Sequence, residues 1–170
     1  NVLMKDVDFE VNTGDVFIIM GGSGSGKSSL LRVLTGLKEP AKGKVWLNGK
    51  DFYAAGEKEQ KILMQNCGIL YQSGALFSSM TLAENVALPL QQYTDYSIAT
   101  IREIVALKLA LVGLRGYEDF YPAELSGGMK KRAGLARAMA LDPEILFFDD
   151  PSAGLDPVSS NLLDDLILEI

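Results

Sequence analysis

A strand, a glycine-rich loop and a helix follow one another without interruption near the start of this 170-residue sequence, and that junction constrains the fold more than any other stretch. Asp15-Val16-Phe17-Ile18-Ile19-Met20 is an apolar run bounded by Gly14 and Gly21, the pattern of a buried parallel strand. Ser29-Leu30-Leu31-Arg32-Val33-Leu34 reads as a helix. Between them lies Gly21-Gly22-Ser23-Gly24-Ser25-Gly26-Lys27-Ser28. Its four glycines let the backbone curl until several N–H groups point into one concavity, and the helix behind adds the positive end of its dipole. This is the setting of a phosphate-binding loop, with Lys27 expected to reach β- and γ-phosphates and the Ser28 hydroxyl expected to ligate Mg²⁺. A flexible Gly/Ser turn is the plain alternative, but it gives no reason for Lys-Ser to open a helix behind an apolar strand.

Composition narrows the partners. A hydrophobic fraction of 48% and a charged fraction of 22% are ordinary for a globular α/β domain. The net charge of −6 argues against nucleic acid as the main partner, which calls for a basic stripe. Cys67 is the only cysteine, so no intramolecular disulfide can form, and its expected role is that of a small buried hydrophobe. No apolar run reaches the roughly 18 to 20 residues of a membrane span, and the N-terminus lacks a signal-peptide pattern. Because the sequence begins at Asn1 and stops at Ile170 inside an apparent helix, it reads as an excerpt of a longer polypeptide.

Along the chain, Val7-Asp8-Phe9-Glu10-Val11 alternates like a half-buried strand, and Asn12-Thr13-Gly14-Asp15 is a turn. Lys44-Val45-Trp46-Leu47 followed by Asn48-Gly49 predicts a hairpin, with Trp46 packed on a sheet face. Residues 56–66 are weakly helical, and Gly68-Ile69-Leu70-Tyr71 is a short strand ending at Gln72, a candidate Mg²⁺ or water ligand. Residues 73–125 lack obvious buried strands and hold two or three helical segments. Thr81-Leu82-Ala83-Glu84 is a capping box, Pro89 is expected to limit or kink its helix, and Ile98, Ile101, Val105, Leu109 and Val112 form one apolar face.

A second ligand-facing group follows. In Leu125-Ser126-Gly127-Gly128-Met129, Ser126 is an N-cap candidate and the paired glycines leave the helix mouth open. Lys130, Lys131 and Arg132 then fall in the first turn, where their charge opposes the dipole unless an anion binds there; solvated side chains are the plain alternative. Glu144-Ile145-Leu146-Phe147-Phe148 is another buried parallel strand running into Asp149 and Asp150, and the tip of such a strand is where open α/β sheets bind ligands. Asp149 suits a Mg²⁺ role and Asp150 suits activation of a water.

The set resembles the nucleotide-binding domain of an ABC ATPase. The phosphate loop, Gln72 of the Q-loop, the Leu125-Ser126-Gly127-Gly128-Met129 signature, the Walker B strand ending at Asp149 and the D-loop Ala153-Gly154-Leu155-Asp156 stand in the family's order over nearly the whole sequence. The resemblance implies an α/β P-loop NTPase of ABC type, with a mostly parallel core sheet, an N-terminal antiparallel β portion and an inserted helical subdomain. Residues 1–72 and 126–170 would form the core and 73–125 the helical subdomain. It further implies ATP and Mg²⁺ as cofactors, with residues 21–28, Ser29, Ser126, Gly127, Gly128 and Asp156 around the nucleotide. Ser28, Gln72 and Asp149 would surround the metal, and Asp150, Gln72 and Lys27 would serve catalysis. Its partners would be a second copy, head to tail, and a membrane-embedded permease, with no nucleic acid and no membrane contact except through the permease. That places it in the cytoplasm, peripheral on the inner face of a bacterial inner membrane.

Met129 where most ABC proteins carry Gln, Tyr71-Gln72-Ser73-Gly74-Ala75-Leu76-Phe77, and Ser152-Ala153-Gly154-Leu155-Asp156-Pro157 resemble the ATPase subunit of Mla-type transporters, which move phospholipid between the membranes of Gram-negative bacteria. Related chloroplast and actinobacterial lipid importers share similar stretches. One departure matters: Asp150 stands where the family usually has Glu. A carboxylate one methylene short would sit about 1.5 Å back from the water, and misplacement of about 1 Å can cost 10²-fold in rate. Slow hydrolysis is expected, and a module that uses ATP only as a dimerisation clamp is the alternative.

Overall fold

The computed structural model describes residues 4–170, which divide into two units between Met64 and Gln65. In the first unit, the turn over residues 12–15 forms as its sequence predicts. The Asn12 N–H donates to Asp15 Oδ2 at 2.9 Å, the Asp15 N–H donates back to the Asn12 carbonyl at 3.0 Å, and Gly14 takes φ +87°. Phe9 and Phe17 stack across it with ring centroids 4.8 Å apart.

The two flanking segments, 7–11 and 15–20, are not the strands that their patterns predict. Both are irregular, and 15–20 is not buried: Ile18 is 72% exposed and Met20 87%. The pattern specifies which side chains are apolar, but a strand also needs a row of backbone partners, and neither segment has a ladder partner among the described residues.

Helix α1 (Lys27–Leu34) follows the loop. It ends against the aromatic ring of Phe52, which approaches so closely that a Cβ on Gly36 (φ +74°) would lie 2.7 Å from the Phe52 ring. Strands β1 (Trp46–Leu47) and β2 (Lys50–Asp51) pair antiparallel through Asn48 (φ +50°) and Gly49 (φ +75°), the two left-handed positions of a type I′ hairpin. Trp46 does not pack on a sheet face. It is 60% exposed, and the Lys44 ammonium lies 5.4 Å from its ring centroid, a contact worth about 0.5–1 kcal/mol. Helix α2 (Glu57–Gln65) occupies the weakly helical stretch.

The second unit is built on two parallel strands. β3 (Cys67–Leu70) pairs in register with β4 (Ile145–Phe148), from Cys67 opposite Ile145 to Leu70 opposite Phe148. Helices α3 (Leu82–Tyr93), α4 (Ile98–Leu111), α5 (Gly127–Ala138) and α6 (Pro157–Glu169) complete it, and Leu70, Leu82, Leu90, Leu109, Leu135 and Leu163 are among its fully buried side chains. The Thr81 capping box forms in full. Pro89 does not end α3, which runs on to Tyr93: the lost N–H removes one backbone bond, while buried Val86, Ala87 and Leu90 keep the helix packed. In α4 the predicted face is buried except for its first member, since Ile98 directly after the Ser97 N-cap is 73% exposed.

Two glycines let α5 approach the strand more closely than any side chain would allow. A Cβ on Gly68 would lie 2.3 Å from the Ala138 carbonyl oxygen, and one on Gly134 would lie 2.8 Å from the Gly74 carbonyl oxygen and 2.9 Å from the Leu70 side chain. Asn85, fully buried, fastens the loop before α3: its amide donates to the carbonyls of Met80 and Phe77 at 3.1 Å and of Thr81 at 2.8 Å, and its oxygen accepts from the Phe77 N–H at 2.8 Å.

The close approach sets a test. Gly134→Ala should destabilise the full-length protein by about 1–3 kcal/mol in denaturant melts through overpacking against backbone. Gly56→Ala, whose new Cβ meets nothing within 4 Å, should stay within about 0.5 kcal/mol of wild type.

Candidate functional site

In the first unit, the phosphate loop is closed by its own lysine. Lys27 Nζ folds back across the loop to donate to the carbonyls of Gly21 at 2.6 Å and Gly22 at 3.0 Å, and the Ser25 N–H donates to the Gly22 carbonyl at 3.2 Å. Gly24 and Gly26 take φ +79° and +100°, conformations that L side chains rarely adopt. Gly26 is the N-cap of α1 and offers no capping side chain, and no acidic residue stands in the first turn. The amides at this helix mouth are therefore not taken up by a side-chain cap, and an ammonium sits beside them. That is a cradle for a polyanion. Ser28 stands exposed at its edge and Ser29 is half-buried.

In the second unit, the Asp149 N–H donates to the Leu70 carbonyl at 2.9 Å, extending the parallel ladder by one residue. Asp149 and Gln72 thus leave the same, C-terminal edge of two paired strands. The turn holding Gln72 is fixed by the Gly74 N–H to the Tyr71 carbonyl at 2.8 Å, and by Arg137 of α5, which donates to the Ala75 carbonyl at 2.8 Å. Burial lowers the pKa of Arg137, and the neighbouring Tyr71 opposes the shift. Gln72 and Asp149 present oxygen ligands that suit a hard cation such as Mg²⁺. No cluster of three His, Cys, Asp or Glu side chains able to hold a metal occurs among the described residues.

Asp150, exposed, takes φ +50°, and its carbonyl accepts from the Ala153 N–H at 3.1 Å. Asp156 caps α6: its carboxylate accepts from the N–H groups of Val158 at 3.1 Å and Ser159 at 3.0 Å, and hydrogen bonds to Ser159, the side-chain one first, hold its pKa below the usual carboxylate range. Ser126 caps α5 as expected, its hydroxyl accepting from the Met129 N–H at 3.3 Å, so the helix starts at Gly127 and includes both glycines. A Cβ on Gly128 would lie 3.0 Å from the Ser159 side chain, so the mouth of α5 packs against the first turn of α6.

The basic residues of α5 do not all stand at its mouth. Lys131 is 5% exposed and donates to the carbonyls of Pro151 at 2.5 Å and Ala153 at 2.6 Å; Arg132 donates to the Val112 carbonyl at 2.9 Å. Both bind other parts of the chain because a cation inside needs acceptors, and these carbonyls supply them. No signal in the residue order foretells it, since three consecutive basic residues look alike until packing separates them. Arg137 and Asn85 escape sequence reasoning for the same reason. Cys67 is half-buried, its thiol pushed up to about 11 by burial and then by Glu144, so it is protonated at neutral pH.

A family model described as ABC transporter matches residues 4–153. The chain belongs to the ABC transporter family. Its fold is that of an ABC ATP-binding cassette. The dimeric post-hydrolysis structure of the ATP-binding cassette MJ0796 bound to ADP and Pi superposes with a TM-score of 0.87 at 29% identity, over 97% of this chain and 73% of that one. A probable ribonucleotide transport ATP-binding protein, mkl of Mycobacterium tuberculosis, is 46% identical over 168 residues, 99% of this chain and 47% of the relative. The intermembrane phospholipid transport ATP-binding protein MlaF of Haemophilus influenzae is 41% identical over 166 residues, 98% of this chain and 63% of the relative. The chain thus spans about half to two thirds of the length of these curated relatives.

The Asp156 cap of this ABC cassette gives a pH signature. Because its folded pKa is depressed, its stabilising contribution is complete above the unfolded value of about 3.9 and is lost as pH falls through the folded value. Thermal melts of Asp156→Asn and wild type should therefore differ by a constant amount between about pH 7 and pH 5, and the difference should shrink as pH falls below about 4.

Proposed function

We propose that this ABC cassette is the ATP-binding and ATP-hydrolysing subunit of a bacterial transporter that moves phospholipid. The observation that carries the reading is the Lys27-closed loop at the uncapped mouth of α1, found in one chain with the Ser126-capped, glycine-opened mouth of α5. Both are built to meet phosphate. In a head-to-tail pair of copies, Lys27 and the loop amides of residues 21–29 hold the β- and γ-phosphates of ATP, while Ser126, Gly127 and Gly128 of the second copy meet the γ-phosphate. Asp156 belongs to the same face.

Ser28, Gln72 and Asp149 are the residues that would hold Mg²⁺, which when bound offsets charge on the phosphate oxygens. Asp150 orients the attacking water and accepts its proton, and the donors around the γ-phosphate stabilise the charge that develops there.

The helical segment 73–125 docks on the permease. Phe77, Phe120 and Tyr121 are exposed on it, and the backbone bonds from Leu82 to Phe120 and from Ala83 to Glu118 hold this segment to the start of α3. Among the described residues no helix is long and apolar enough to cross a membrane, so the permease supplies the attachment to the inner face of the membrane. Phospholipid is favoured as cargo by the likeness to MlaF together with Met129 and the stretches 71–77 and 152–157. A phospholipid-transfer assay with the reconstituted complex distinguishes this from the ribonucleotide named for mkl.

Asp150 favours one further reading, in which hydrolysis is so slow that ATP serves as a clamp. The two separate on one substitution. Asp150→Glu in the full-length protein should raise ATP turnover about tenfold by closing the gap to water. It should also lower the melting temperature slightly, because Glu tolerates the φ of +50° less well than Asp does. An unchanged or lower rate, measured by phosphate release, contradicts the account.

A further inference from the structure

We propose that Lys131 is a positioning residue for Asp150, holding the turn that carries this carboxylate from the body of α5. The inference rests on the reading of Asp150 as the water-orienting group.

The turn after β4 has little to hold it in place by itself. Pro151 has no N–H to donate, Asp150 stands in the left-handed region, and the turn's own backbone bonds are those from Ala153 to Asp150 and from Leu155 to Ser152. Two groups fasten it from outside: Asp164 of α6, which accepts from the Ser152 hydroxyl at 3.2 Å, and Lys131, which reaches the backbone on both sides of Ser152. One ammonium donates to the carbonyl of Pro151, directly after Asp150, and to that of Ala153, whose N–H closes the turn onto Asp150. Two carbonyls on one buried cation fix the local direction of the chain, and with it the direction in which the Asp150 side chain leaves the backbone.

The side chain is also close enough to sense Asp150 electrostatically. Burial lowers the Lys131 pKa, and the Asp150 carboxylate pulls it back up. Lys131 sits one turn into the helix whose mouth is capped by Ser126, so a shift of that mouth is carried to the Asp150 turn through this side chain. An anion engaging the mouth of α5 would thereby adjust the carboxylate of the same copy.

Steady-state kinetics of the full-length protein, in complex with its permease, decide the matter. Lys131→Met keeps most of the volume and removes the donors; its kcat should fall about 10- to 100-fold, with the KM for ATP unchanged within about 2-fold. Lys131→Arg, which keeps donors, should restore most of the loss. A lysine that merely stabilised the fold would lower the melting temperature and leave kcat intact below it.

A folded Lys131→Met protein with wild-type kcat, alongside an inactive Asp150→Asn protein, overturns the inference. Wild-type turnover in Asp150→Asn instead overturns the reading of Asp150 on which it rests. Should Lys131→Met not fold, hydrogen exchange of the wild type takes its place: the Ala153 amide should exchange as slowly as the interior of α5, and exchange at the rate of an open loop overturns the inference.

Discussion

The parallel pairing of β3 with β4, and the helix α5 pressed onto it through Gly68 and Gly134, is the constraint on which the chemistry of the second unit depends. Pairing in register brings Gln72 and Asp149 to one edge. Pressing α5 onto the strand brings Arg137 to the turn after Gln72 and Lys131 to the turn after Asp149. Both loops at the strand ends are thus held by cations from one helix, and that helix begins at the capped mouth where Ser126 and the two glycines lie. Without the glycines the helix would stand off, and neither cation would reach its carbonyls.

Most of the local structure is legible in the residues themselves. The turn at 12–15, the Asn48-Gly49 hairpin, the Thr81 capping box and the Ser126 cap all depend on neighbours in sequence, so the residues carry the signal. What is not legible depends on distant partners. The strand pattern of 15–20 states only that its side chains are apolar, and the exposed Ile18 and Met20 show how much a strand needs a paired backbone to be one. Trp46 on the surface and Lys131 in the interior invert the usual preferences of their residue types, one through the Lys44 ammonium and the other through two carbonyls. The family is readable from the order of its motifs.

The two helix mouths differ in construction, and the difference bears on how the site works. The mouth of α1 carries its own counter-charge in Lys27, which suits it to the first side of a phosphate. The mouth of α5 has committed Lys131 and Arg132 to the fold and offers a hydroxyl, backbone amides and a dipole. Such a mouth is suited to the second side of an anion that is already held, which is the division of labour a head-to-tail pair of copies requires.

That shared site is the central claim, and complementation between two damaged copies tests it most directly. In full-length protein, Lys27→Ala removes the loop's cation and Ser126→Glu places a negative charge at the α5 mouth, so neither variant alone should retain Mg²⁺-ATP. Mixed, the two form pairs in which both defects fall on one site and the other site is whole; retention of labelled ATP should return to roughly a quarter of wild type for random pairing. A mixture that stays at the level of the separate variants would mean that each nucleotide is held within a single copy, and would contradict the account.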